Sequence, residues 1–188
     1  MRRLIHVPVI HTSEDFGSQL EAVRRAYVSR HGIRAWQQHL ASVRQFWEQV
    51  RRAVRPLVKT AATLRVYQDG MPVCGREVEL VRELAALGSE NHRLLLELVE
   101  RGAVLMGTED PELLRREQER SRGAAALCEP AGGERYDELM ERRDRYIAGR
   151  IDATLPGEGV VGLLFMGALH RVTQYLPKDI EVVQWPKK

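Results

Sequence analysis

Residues 160–166, Val-Val-Gly-Leu-Leu-Phe-Met, carry no charge and no polar side chain, and Gly167-Ala168-Leu169-His170 follows directly. A run this short, bounded by Pro156-Gly157 and Gly167, reads as a strand buried on both faces. Such a strand needs cover on both sides, which points to a mostly parallel sheet between helices. Gly167 is expected to turn the chain and deliver His170 just past the strand's carboxyl end. In open α/β sheets that edge is where ligands bind.

The rest of the chain repeats the pattern. Leu4-Ile5-His6-Val7-Pro8-Val9-Ile10 reads as a first strand, with Pro8 at its end or open side. Thr12 or Ser13 is placed to cap a helix whose stripe is Phe16, Leu20, Val23 and Tyr27. A second helix is expected over 33–54, ended by Pro56, with the seam Trp36, Leu40, Val43, Trp47, Val50 and Val54. That seam could pack within the subunit or pair two subunits as a homodimer. Further strands are expected over 63–68, 103–106 and 180–184. Helices are expected over 76–87, from Ser89 to 101, from Pro111 to 121, and over 134–154. In the helix over 76–87, Val78, Val81, Leu84 and Ala85 are expected to point inward. Residues from about 122 to 133, with Pro130 and Gly132-Gly133, read as a flexible loop and candidate lid. The fold class is therefore α/β: one domain, a mostly parallel central sheet of about five strands, helices on both faces.

Charge excludes some functions. The 188 residues hold 29 Lys plus Arg against 26 acids, a net charge of +3. Most arginines stand beside acids, as on solvated helix faces, so no nucleic-acid partner is expected. No apolar run approaches the length of a membrane span. Cys74 and Cys128 have neither metal-ligand nor redox spacing and read as reduced thiols, so a soluble, cytoplasmic protein is expected.

Four expected strand ends carry the same kind of residue. His11 with Glu14 follows the first, Asp69 the second, Glu109-Asp110 the third and His170 the fourth. In a parallel sheet these ends share one edge, so imidazoles and carboxylates would face a common crevice. Asp69 could equally be turn chemistry, and Asp110 a helix cap before Pro111. His6 is expected to be a satisfied core histidine, and His31, His39 and His92 to be structural.

The helix over 134–154 adds an independent signal. Its apolar stripe is Tyr136, Leu139, Met140, Ile147 and Ile151, and at 100° per residue Arg143 falls inside it. A guanidinium on a buried face needs an anionic partner, either one of these carboxylates or a bound anion. Asp144 lies on the flank of the stripe, placed to orient Arg143 or a histidine.

These residues resemble a family. TraB/Tiki-type proteins, and more distantly erythromycin esterase and the ChaN haem-uptake proteins, carry two G-x-x-H motifs with an Arg-Asn or Arg-Asp pair on the helix before the second. Gly167-Ala168-Leu169-His170 is similar to the second motif and Arg143-Asp144 to the helix pair. Pro8-Val9-Ile10-His11 resembles the first motif, with proline in place of glycine, and Glu109 resembles a mid-chain glutamate. The resemblance implies a hydrolase-like pocket: a metal-dependent peptidase in the Tiki branch, a histidine general base in the esterase branch.

Two functions follow. In the first, the chain hydrolyses a small-molecule or peptide substrate. His11 and His170, with Glu109 or Asp69, would hold zinc, manganese or iron; without metal, one histidine would deprotonate water. Arg143 would then neutralise an oxyanion or hold a substrate carboxylate, with Glu14, Asp69, Asp110 and Asp144 as binding residues. In the second, the crevice holds a small molecule or anion without catalysis, and the long helix dimerises.

Overall fold

The computed structural model describes residues 1–10, 20–60, 63–125, 136–157 and 159–186. Five strands form one sheet: β1 (Arg2–Pro8), β2 (Thr63–Gln68), β3 (Val104–Met106), β4 (Val160–Met166) and β5 (Ile180–Gln184). The order is β3-β2-β4-β1-β5 and every pairing is parallel. The helices are α1 (Leu20–His31), α2 (Ile33–Thr60), α3 (Glu77–Ala86), α4 (Glu90–Glu100), α5 (Pro111–Ala125) and α6 (Tyr136–Thr154). A 3-10 turn at Val172–Tyr175 leads into β5.

The strands are apolar on both faces because both faces are covered. Ile5, Val7, Val66, Leu163 and Phe165 pack on one side against Val43, Trp47, Val50 and Val54 of α2, Val81 of α3 and Leu94, Leu95 and Leu98 of α4. The alternate residues Leu4, Tyr67, Leu164 and Met166 pack on the other side against Ile147, Ala148 and Ile151 of α6. This period-2 division is what a three-layer α/β/α arrangement requires. No helix among the described residues is long and apolar enough to cross a membrane.

Several expectations are corrected. Most of the apolar seam of α2, from Trp36 to Val54, packs within this chain, the first of the two arrangements expected for it. Pro56 does not end that helix but lies within it. It sits on the exposed side, where a carbonyl that loses its intrahelical partner can turn to water, while Leu57 and Val58 keep packing on the core. The expected loop from 122 begins as helix, since α5 runs to Ala125. Residues 126–135 lie outside the described residues, as do His11, Thr12, Ser13 and Glu14.

His6 is a further correction. It shares the inner side of β1 with Leu4, yet neither ring nitrogen meets hydrogen-bond geometry among the described residues. Burial lowers its pKa, against the weaker upward pull of Gln184 and the Met166 carbonyl.

Candidate functional site

The carboxyl ends of β2 and β4 are neighbours, and their polar tips meet there. Asp69 follows β2 and accepts the Gly167 N–H at 2.9 Å through Oδ2. A Cβ on Gly167 would stand 2.7 Å from that oxygen, so any other residue would push the Asp69 carboxylate out of this position. The glycine expected as a turn residue thus also serves as a donor to a carboxylate from another strand.

His170 lies on the other side of Asp69. Its Nε2 is 3.3 Å from Asp69 Oδ1, and its Nδ1 donates to Asp144 Oδ1 at 2.5 Å. Asp144, from α6, also accepts the Arg171 N–H at 2.7 Å through Oδ2. Both oxygens of Asp144 are therefore spent on the segment carrying His170, which fixes the ring's orientation. Of the two partners open to Asp144, it takes the histidine.

Arg143 and Glu109 form the third element. Arg143 Nε donates to Glu109 Oε2 at 2.7 Å and Nη2 to Oε1 at 2.8 Å, a bidentate pair. The Gly70 N–H adds a third bond to Oε1 at 2.7 Å. Arg143 Nη2 is also 3.6 Å from Asp69 Oδ1. Glu109 is 1% exposed and Arg143 lies on the inner face of α6, as its place in the apolar stripe required. A carboxylate of this chain thus takes two of its five N–H groups, and Nη1 points at Met140 Sδ at 3.4 Å.

The cluster counts three carboxylates (Asp69, Glu109, Asp144) against one guanidinium and one imidazole. Even with His170 protonated it carries a net charge of −1. Burial opposes charge on His170, but its bonds to Asp144 and Asp69 outweigh this and raise its pKa to about 9. Burial likewise opposes charge on Asp69, and the His170 ring, the Gly167 N–H and Arg143 override it, holding the carboxyl well below its usual range. Arg143 is also held in its charged form, Glu109 outweighing the cost of burial.

A crevice of about 790 Å³ opens over this floor. Asp69, Arg143, Gly167 and His170 line its base, together with Gln68 and Asn91. Its walls come from the junction of α3 with α4, from α5, and from the first turn of α6. Ligand atoms of Asp69, Glu109 and His170 lie within 4.8 Å of one another, a group that could hold a metal ion. Of the expected set, His170 and both of the alternative carboxylates, Glu109 and Asp69, come together, and His11 lies outside the described residues.

The remaining expected site residues fall as follows. Glu14 lies outside the described residues. Asp110 accepts the N–H groups of Glu112 at 2.8 Å and Leu113 at 3.1 Å, capping α5, and does not line the crevice. Its carboxylate is spent on the helix end because Pro111 begins the first turn there. His92, expected to be structural, lines the crevice wall and bonds Ser89 Oγ at 2.7 Å through Nδ1. Asn91 escaped the sequence reading because one position after Glu90 and two after Ser89 it looks like helix-start chemistry.

No family model matches the chain, and no curated protein or solved structure matches it.

Proposed function

We propose that this crevice is the active site of a hydrolase of the TraB/Tiki-like type, in which Asp69 and His170, with Glu109 behind them, hold a divalent ion of the zinc, manganese or iron class. The observation that carries this reading is the posture of His170. Its Nδ1 is committed to Asp144 while its Nε2 faces Asp69 at the base of an open crevice. Histidine ligands are commonly held this way, the second nitrogen on a carboxylate. A set of one imidazole and carboxylates suits these ions.

A metal there would polarise a scissile carbonyl and lower the pKa of water. The chain's own groups do the positioning. Asp144 fixes which nitrogen of His170 faces the crevice. The Gly167 N–H holds Asp69 in place, and Arg143 holds Glu109 while offsetting repulsion among the carboxylates. A metal-free general base is the weaker form of the reading. With a pKa near 9, His170 carries both protons at neutral pH and has no lone pair to accept another.

Calorimetric titration with Zn²⁺, Mn²⁺ or Fe²⁺ tests this. One ion per chain is expected to bind, and His170→Ala and Asp69→Ala are expected to abolish binding. The proton on Nε2 must leave first. Because the folded-state pKa is raised, that proton competes with metal below about pH 9. Affinity should therefore rise about tenfold per pH unit from near neutrality to about 9 and then flatten. A folded wild-type chain that binds none of the three ions at pH 9 defeats the metal reading. A non-catalytic ligand-binding protein then becomes the better account.

A further inference from the structure

Large apolar side chains that stay exposed together mark a contact surface. Eight are exposed among the described residues, and four of them, Leu84, Leu87, Tyr136 and Leu169, line the crevice. They reach it from three separate parts of the chain: α3 and its carboxyl end, the segment after β4, and the first turn of α6. Leu87 is 72% exposed and Leu169 73%. Leu84 and Tyr136 were the members of their helix stripes expected to face the core; they face the crevice instead.

This apolar rim borders a concavity. Its volume of about 790 Å³ falls in the range of about 300–1,000 Å³ usual for small-molecule sites. A second copy of this chain would have to push a segment into it, whereas a short hydrocarbon chain needs only the opening. The rim also starts beside the polar cluster, because Leu169 immediately precedes His170.

The floor sets the head group. The metal reading requires His170 Nε2 to give up its proton. Three carboxylates then face one guanidinium and one divalent ion, and the floor carries no net charge. A neutral carbonyl meets no unbalanced field there. Without the ion the floor is net negative, which disfavours a carboxylate.

We infer that the crevice takes neutral aliphatic acyl esters or amides, with the carbonyl over Asp69 and His170 and the acyl chain against Leu84, Leu87 and Leu169. Water adds to the acyl carbon, the bond from that carbon to the leaving oxygen or nitrogen breaks, and the leaving atom takes a proton from the water. This rests on the hydrolase reading above and names its substrate class.

A homologous series reads the rim without metal. Butanamide, hexanamide and octanamide are each used to displace N-phenyl-1-naphthylamine, an uncharged fluorescent probe, from the full metal-free chain. Each methylene that reaches the rim is expected to tighten binding about twofold to fourfold. The double variant Leu87→Ser with Leu169→Ser, at exposed positions where folding is not at stake, is expected to flatten that dependence. Octanoate is expected to bind more weakly than octanamide. No binding of the probe, affinities independent of chain length, an unchanged dependence in the double variant, or octanoate binding as tightly as octanamide each overturns the inference. A wild-type chain that sediments as a dimer while the double variant sediments as a monomer assigns the rim to a second copy and overturns it too. Turnover separates the inference from the hydrolase reading. With Zn²⁺ added, kcat/KM for p-nitrophenyl hexanoate is expected to be about tenfold above that for p-nitrophenyl acetate. Equal values for the two esters sink the acyl preference and leave the hydrolase reading. Chain-length-dependent binding in a chain that hydrolyses neither ester sinks the hydrolase reading and leaves an acyl-binding crevice.

Discussion

Arg2 and Arg143 solve the same problem in opposite surroundings. Each guanidinium is held by carboxylates from distant parts of the chain. Arg2 binds Asp179 and Asp152, linking the start of β1 to the turn before β5 and the end of α6. Arg143 binds Glu109 and approaches Asp69, linking α6 to the ends of β3 and β2. The acids around Arg2 are about half exposed, 49% and 58%, whereas Glu109 is almost wholly buried. Water can replace Asp152 or Asp179 if either is lost, and nothing can replace Glu109. The first cluster is a surface clamp. The second is retained despite its desolvation cost, at the base of an open crevice, which is where a functional cluster is expected to differ from a structural one.

The largest effect expected from this contrast is at Glu109. Glu109→Leu removes the bidentate partner of a buried guanidinium, leaving Asp69 at 3.6 Å as its nearest carboxylate, and should cost about 3–5 kcal/mol in urea unfolding. Adding Arg143→Met should restore much of that loss, because an apolar pair needs no desolvation. If the double variant is as unstable as the single, the pair is a structural keystone and the contrast with Arg2 disappears.

A smaller effect is expected at Gly167, where an added Cβ meets Asp69 Oδ2 at 2.7 Å. Gly167→Ala should cost about 1–3 kcal/mol, the usual range for overpacking. It should also weaken metal binding, because Asp69 must move. Stability and affinity both unchanged would show that Asp69 is not held by this approach.

The smallest effect is expected at Arg2. Arg2→Ala should cost about 1 kcal/mol or less, and the loss should shrink in high salt, as for exposed pairs. A loss as large as that at Glu109, insensitive to salt, would place both clusters in one class.

The sequence made much of this legible because the relevant signals are local. The apolar run before Gly167, the turn chemistry at Asp69, the helix start at Ser89 and the stripe of α6 are each written within a few residues. Arg143 stood out because 100° periodicity set a charge among Leu139, Met140 and Ile147. Leu84 and Tyr136 could not be read the same way. Periodicity marks a face as apolar without saying whether that face meets the core or a crevice. Pro56 misled because its penalty depends on whether the broken turn faces solvent, which is not a local property.

What the sequence determined by itself is therefore the kind of molecule and the kind of chemistry: alternating strands and helices, strand ends with polar tips, and one buried arginine requiring an anion. Tertiary structure alone decided the partners. Glu109 pairs with Arg143. Asp144 takes His170 rather than Arg143, and Asp69 touches Gly167 across the gap between strands. Each of these contacts joins residues separated by tens of positions and depends on β2 and β4 being neighbours in the order β3-β2-β4-β1-β5. Short-range patterning sets which face of an element is buried. Strand order is set by how the helices close over the sheet, and only that closure brings the donors and acceptors within bonding distance.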